Sequence, residues 1–256
     1  MASETNGSWG DAVEVPGTAT LNSGGHAGVF EVSCGAAGDC AAGGHYTDGS
    51  GRYQAFVVSE ANGSWGDAIE VPGTATLNGG GDAGVYSVSC AAAGECAAGG
   101  SYRDGSSNDQ AFVVSETNGS WGDAIEVPGT ATLNTGGLAG VYSVSCGAAG
   151  DCAAGGSYVR GFGHYEAFVV SETNGVWGNV IHVRNFPPSC VVPRVVGKAL
   201  RTAKRKLHAT LCGVGNIKRV YSNARRGRVV AQRPKPGKHV DRGTKVALTV
   251  SKGSRR

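Results

Sequence analysis

The first 185 residues contain no lysine, and the last 71 contain a single acidic residue, Asp241. The missing lysines leave four arginines facing 19 aspartates and glutamates, a balance of −15 that repels polyanions. The missing acids leave 19 lysines and arginines almost unopposed at +18, so the basic remainder is the part suited to meet an anionic polymer. The overall +3 conceals this opposition. No apolar run approaches the roughly 18 residues that a membrane-crossing helix requires, and no charged n-region followed by an apolar h-region opens the sequence. Nothing ahead of residue 197 combines a 3.6-residue apolar period with helix-forming composition, which reads the acidic part as all β.

What is present is repetition. Trp9, Trp65, Trp121 and Trp177 stand 56 residues apart, and Cys34, Cys90 and Cys146 keep step with Cys40, Cys96 and Cys152. A catalytic residue is needed once and a packing residue in every copy, so a period of this kind marks a structural unit. In the middle copy, four β-prone runs lie between Gly, Asn, Asp and Pro punctuation: Val85 to Cys90, Glu95 to Tyr102, Gln110 to Ser115, and Trp121 to Val127. Alternation places Tyr86, Val88 and Cys90 on one face and pairs Phe112 with Val114. Consecutive four-stranded units predict a propeller-like array in which the tryptophans pack between blades, with a β-trefoil as the alternative. A leading strand around Trp9 to Val15 stands outside the three complete sets.

Ser3 aligns with Ser59, Ser115 and Ser171, so Met1 and Ala2 occupy the places of paired valines in the later copies. The phase predicts a start inside a strand, with a signal peptide and earlier repeats upstream. Cysteines in close local pairs suit an exported protein, which predicts disulfides within each hairpin. No histidine recurs with those pairs, so neither zinc nor any other metal is expected.

Ser59-Glu60-Ala61-Asn62-Gly63-Ser64-Trp65 returns as Ser115-Glu116-Thr117-Asn118-Gly119-Ser120-Trp121. It resembles the Asp-box turn of sialidase-like propellers, Ser-x-Asp-x-Gly-x-Thr-Trp, although one residue is missing before Trp and Asn62 stands one place later than the family's Asp. In that family the box is a surface turn, so the resemblance implies architecture and not glycoside cleavage. Asn62-Gly63 itself suits a tight hairpin turn.

No residue is assigned to catalysis. His26 becomes Asp82 and Leu138 in later copies, and His45 becomes Ser101 and Ser157. The carboxylates Asp11, Asp67 and Asp123 recur with Glu14, Glu70 and Glu126, which reads them as solvated strand rims. The copies differ most in two loops, one beginning at Asn22, Asn78 and Asn134, and a second carrying Tyr46 and Tyr53, then Tyr102 and Arg103, then Tyr158, Arg160, Phe162 and Tyr165. Those of the second loop are the candidate residues for a glycan or protein partner, because variation on a fixed scaffold is where recognition concentrates.

Residues 186–189 form a Pro-containing linker between the repeat module, 1–185, and a basic domain, 190–253, with a basic tail at 254–256. Ala199, Leu200, Ala203 and Leu207 make an apolar stripe on a short helix over Lys198 to Ala209. Strands are expected at Val214 to Tyr221, Gly227 to Gln232, and Thr244 to Ser251. Val192-Pro193-Arg194-Val195-Val196-Gly197-Lys198-Ala199-Leu200, Gly227-Arg228-Val229-Val230-Ala231-Gln232-Arg233-Pro234-Lys235-Pro236-Gly237 and Gly243-Thr244-Lys245-Val246-Ala247-Leu248-Thr249-Val250 together resemble the PASTA domain, a small α+β module. The resemblance implies a wall-facing, non-catalytic module outside the bacterial membrane, with peptidoglycan or another anionic wall polymer as partner and no cofactor. Cys190 and Cys212 depart from the common pattern and would staple the helix to the segment before it. Arg194, Arg233, Lys235 and Lys238, beside Pro and Gly turns, are the candidate wall-polymer contacts. The expected function is an exported, cell-wall-associated binding protein. A glycan-active sialidase-like enzyme, which needs two carboxylates, and a nonspecific nucleic-acid or polyanion binder driven by counterion release are the alternatives.

Overall fold

The computed structural model describes residues 2, 4–5, 7–161, 164–183 and 190–255, so the expected linker at 186–189 lies outside the described residues. The chain divides into two compact units, Met1–Arg184 and Asn185–Arg256.

The first unit is mainly β and holds three antiparallel sheets with the same strand order. In the middle copy the strands are Ala83–Ala92, Glu95–Arg103, Asp109–Thr117 and Ser120–Trp121, each beside the next, with Ile125–Glu126 also on the third. The sheets over 27–70 and 139–183 repeat this pattern. Each copy keeps its own open sheet, which departs from the trefoil alternative, where strands of three units would share one barrel.

Alternation fixes which neighbour each face meets. Phe112 and Val114 pack with Val57, Val85 and Val88 toward the first sheet, while Ala111 and Val113 pack with Val141, Val144 and Phe168 toward the third. Two glycines in the second strand permit close packing, Gly99 between sheets and Gly100 between strands of one sheet. A Cβ on Gly99 would lie 2.5 Å from Val141 Cγ1 of the next sheet, and one on Gly100 would lie 1.8 Å from the Gly84 carbonyl oxygen. Apolar burial then supplies the association between sheets at about 25 cal/mol per Å².

Trp121 and Trp177 pack between repeats and a polar network accompanies them, whereas Trp9 is 73% exposed, which corrects the expectation for it. The indole N–H of Trp121 donates to Ser59 Oγ at 2.9 Å, and that hydroxyl donates to Glu116 at 2.5 Å. Trp177, Ser115 and Glu172 repeat the arrangement. Burial raises the carboxyls of Glu116 and Glu172 above the usual range, outweighing the serine hydrogen bonds that favour the anions. With the folded-state values raised, the folded chain holds protons more tightly. The resulting stability is present below the ordinary glutamate range and is lost as pH rises through the folded-state values. Glu116→Gln combined with Glu172→Gln is therefore expected to raise the melting temperature of this unit at pH 7 by about 2–4 °C, the shift that accompanies about 1 kcal/mol, and to leave it unchanged near pH 4. Calorimetric scans across that range check both outcomes.

Four local features differ from the sequence reading. The expected strand from Trp121 to Val127 breaks after Trp121, because Ala124 N–H turns aside to bond Pro72 O of the preceding repeat at 2.7 Å. The acidic part is not all β: one-turn helices occur at Thr18–Leu21, Thr74–Leu77 and Thr130–Leu133, each entered through a glycine of positive φ. Four residues are too few to show a helical period. A bulge between Val85 and Ser87 takes Tyr86 out of the face shared by Val88 and Cys90. The leading segment forms a strand only at Ser8–Trp9, paired with Glu4–Thr5. Residues 10–15 carry no strand, whereas the next copy has one at Ile69–Glu70.

In the second unit, Gly213–Val220 runs parallel to the central strand Lys245–Ser251, and Val229–Arg233 runs antiparallel to it. Cys190–Val191 pairs separately with His239–Val240. The helix spans Leu200–Ala209 and buries Ala203 and Leu207 against Val195, Val229, Leu248 and Val250. Leu200 packs partly against the same core and Arg201, Lys204, Arg205 and Lys206 are exposed, so a narrow apolar stripe docks the helix.

All eight cysteines are paired, Cys34 with Cys40, Cys90 with Cys96, Cys146 with Cys152, and Cys190 with Cys212. The three hairpin pairs face each other directly in register, with Cα separations of 3.8, 3.9 and 4.0 Å. That is shorter than the usual window of about 4.4–6.8 Å.

Candidate functional site

The basic unit gathers the four expected contact residues through its backbone. Val192 N–H donates to Lys238 O, and Gly237 N–H donates back to Val192 O, each at 2.9 Å. One turn further, the Gln232 side chain accepts from Val195 N–H at 2.8 Å and donates to Pro193 O at 3.0 Å. The segment bearing Arg194 is thus tied along the segment bearing Arg233, Lys235 and Lys238. All four side chains are exposed, and none forms an ion pair among the described residues. Asp241 is the unit's one carboxylate side chain, so this rim keeps its positive field.

Tyr221 adds a feature that sequence reasoning missed. Its exposed ring carries Lys252 Nζ at 5.2 Å and the Arg255 guanidinium at 5.5 Å from the centroid. The signal was an aromatic at a strand end in a basic domain, but the two cations come from the far end of the chain.

The candidate loop residues of the repeats separate into two groups. Tyr46, Tyr102 and Tyr158 are buried and offer nothing to a ligand, which corrects the expectation for them. The hydroxyls of Tyr46 and Tyr102 donate to Glu70 and Glu126 at 3.0 Å, and that of Tyr158 meets His182 Nδ1 at 2.6 Å. Burial and the facing carboxylates raise the first two phenols, so both stay neutral. Tyr53 and Tyr165 are exposed at 38% and 66%, and Arg160 is exposed as well. Arg103 is engaged by Asp82 and Asp109, both at 2.8 Å. Phe162 lies outside the described residues.

The recurring carboxylates are only partly rim residues. Asp11, Asp67 and Asp123 are exposed, whereas Glu70 and Glu126 are half-buried acceptors for tyrosine and threonine hydroxyls. Asp39, Glu95 and Asp151 accept from the backbone N–H groups of Asn62, Asn118 and Asn174, bracing the Asn-Gly turns. Among the described residues, no group of three or more His, Cys, Asp or Glu is arranged to hold a metal ion. No described helix is long and apolar enough to cross a membrane.

No curated protein matches the chain. The family model of the PASTA domain matches residues 191–252, a span that takes in the helix, the three-stranded sheet and the rim carrying Arg194, Arg233, Lys235 and Lys238. The C-terminal unit of this chain contains a PASTA domain.

Proposed function

We propose that this is an exported, cell-wall-associated bacterial binding protein without catalytic activity. Its PASTA domain contacts peptidoglycan or another anionic wall polymer through Arg194, Arg233, Lys235 and Lys238. The observation that carries the reading is the match over residues 191–252, on a unit whose basic rim is exposed and unpaired. The disulfides support an oxidising location. The repeats act as a rigid display scaffold, read as blades of an incomplete propeller. Supporting this, the first strands of successive copies lie side by side, with Cys90 N–H donating to Ser33 Oγ and Cys146 N–H to Ser89 Oγ, each at 3.0 Å.

The full chain is expected to sediment with purified peptidoglycan sacculi at low salt and to release no reducing sugar from a glycan panel. Retention in the supernatant would refute wall docking. Sugar release that a single carboxylate-to-amide change abolishes would establish the enzyme alternative instead.

A further inference from the structure

The interface between the first and second sheets opens into a cleft of about 250 Å³. His26, Phe30, His45 and Tyr53 of the first copy line it, together with Asp82 and Tyr86 of the second. Their rings form a continuous run. His45 lies parallel to His26 at 5.7 Å, edge-on to Tyr53 at 4.9 Å and against Phe30 at 4.9 Å. Phe30 then meets Tyr86, and Tyr86 stacks on Tyr142, each at 5.9 Å. A hydrogen bond from Tyr53 N–H to Gly81 O at 3.1 Å ties the two walls together.

Packing alone does not require these residues. At the next interface, where the same backbone repeats, the positions of His26, His45, Tyr53 and Asp82 hold Asp82, Ser101, Asp109 and Leu138. Only the aromatic positions at Phe30 and Tyr86 persist, as Tyr86 and Tyr142. The imidazoles and Tyr53 are therefore specific to one cleft in an otherwise periodic scaffold. Moreover, His45 Nε2 is buried there without a hydrogen-bond partner, a costly state for a polar atom. Burial and the facing His26 lower this imidazole's pKa, which keeps it neutral and able to share a hydrogen bond with a hydroxyl.

We propose that this cleft binds one neutral pyranose ring of a glycan, stacked on Phe30 and Tyr86 and hydrogen-bonded by His26, His45 and Asp82. The apolar C–H face of a sugar matches the aromatic walls, and its hydroxyls match the imidazoles and the carboxylate. Entry of a hydroxyl past the exposed His26 ring gives His45 Nε2 the partner it lacks. A neutral ligand fits a module with a formal charge of −15, which disfavours anions. A quaternary ammonium would suit the aromatic rings, but it offers no hydrogen bond to His45, and Arg103 at 2.8 Å from Oδ2 already balances the charge of Asp82 while leaving Oδ1 to accept a sugar hydroxyl.

The test is imidazole-detected NMR on the full chain, titrated separately with methyl β-galactoside, methyl β-glucoside, methyl N-acetyl-β-glucosaminide and choline. At least one glycoside is expected to shift the His26 and His45 signals saturably at millimolar concentration, with choline silent. Phe30→Ala, at a half-exposed position that leaves the fold intact, and His45→Ala are each expected to weaken binding about ten-fold or more. Tyr165→Ala, elsewhere on the surface, is expected to leave it unchanged. The proposal is overturned if no glycoside shifts these signals, if choline alone does, or if Phe30→Ala binds as the parent does. None of these outcomes depends on the PASTA domain's binding.

Discussion

Gly100→Ala is expected to unfold the repeat unit or to cost it more than about 3 kcal/mol, the upper range for overpacking. The added methyl would sit 1.8 Å from the Gly84 carbonyl oxygen, 2.9 Å from that carbonyl carbon and 3.1 Å from the Phe112 ring. Two of the three obstacles are backbone, which cannot rotate away as a side chain can. Relief requires parting the first two strands where Val85 pairs with Gly100, and both Val85 and Phe112 belong to the core shared with the first sheet. Damage should therefore spread from one sheet to its neighbour. Gly105→Ala is the matched control, since nothing lies within 4 Å of its added methyl and its φ is not positive. It should change stability by less than about 0.5 kcal/mol. Urea titration followed by near-ultraviolet circular dichroism compares the two, and similar midpoints would show that the strands tolerate separation there.

Reversing the rim with Arg194→Glu, Arg233→Glu, Lys235→Glu and Lys238→Glu is expected to weaken binding to sacculi about ten-fold or more. The four side chains are exposed and carry none of the PASTA unit's core, so the fold should survive the change. Charge on a solvent-facing rim acts on encounter and is screened beyond about 8 Å at physiological ionic strength, so the loss should be largest at low salt. The comparison that gives this meaning is Arg201→Glu, Lys204→Glu and Arg205→Glu on the exposed side of the helix. A rim-specific site predicts a small effect from those changes. Equal losses per charge from both sets would reduce the interaction to nonspecific attraction, as would equal affinity for DNA.

Most strands were legible because polar and apolar residues alternate between turn residues that recur every 56 positions. Phe112 and Val114 faced one sheet, and Ala111 and Val113 the other, as period two requires. Where the backbone breaks that period the sequence misleads: Tyr86 occupies a bulge, and Ala124 leaves its strand for a carbonyl in another repeat. The helix at Leu200–Ala209 was readable from its stripe, whereas the Thr-Ala-Thr-Leu turns were too short to show one. The role of Ser59 and Glu116 was hidden for another reason. Both recur as faithfully as tryptophan, yet their contact joins residues 57 positions apart, across copies.

The candidate sites show the same contrast. Arg194, Arg233, Lys235 and Lys238 stand beside prolines and glycines that fix their turns, so local sequence could suggest them. The cleft around His45 could not be read this way. Its walls come from two copies, and its distinctive residues are those that fail to repeat, the ones a search for periodicity sets aside.

The most direct measurement is sedimentation of residues 190–255 alone with purified sacculi, beside residues 2–183 at equal concentration and low salt. Each segment carries its own buried core, so each can be assayed separately. The C-terminal segment is expected to pellet with the sacculi about as fully as the whole chain, with at most weak retention of the repeats. Sedimentation of the repeats together with a soluble C-terminal segment would contradict wall docking through the PASTA domain.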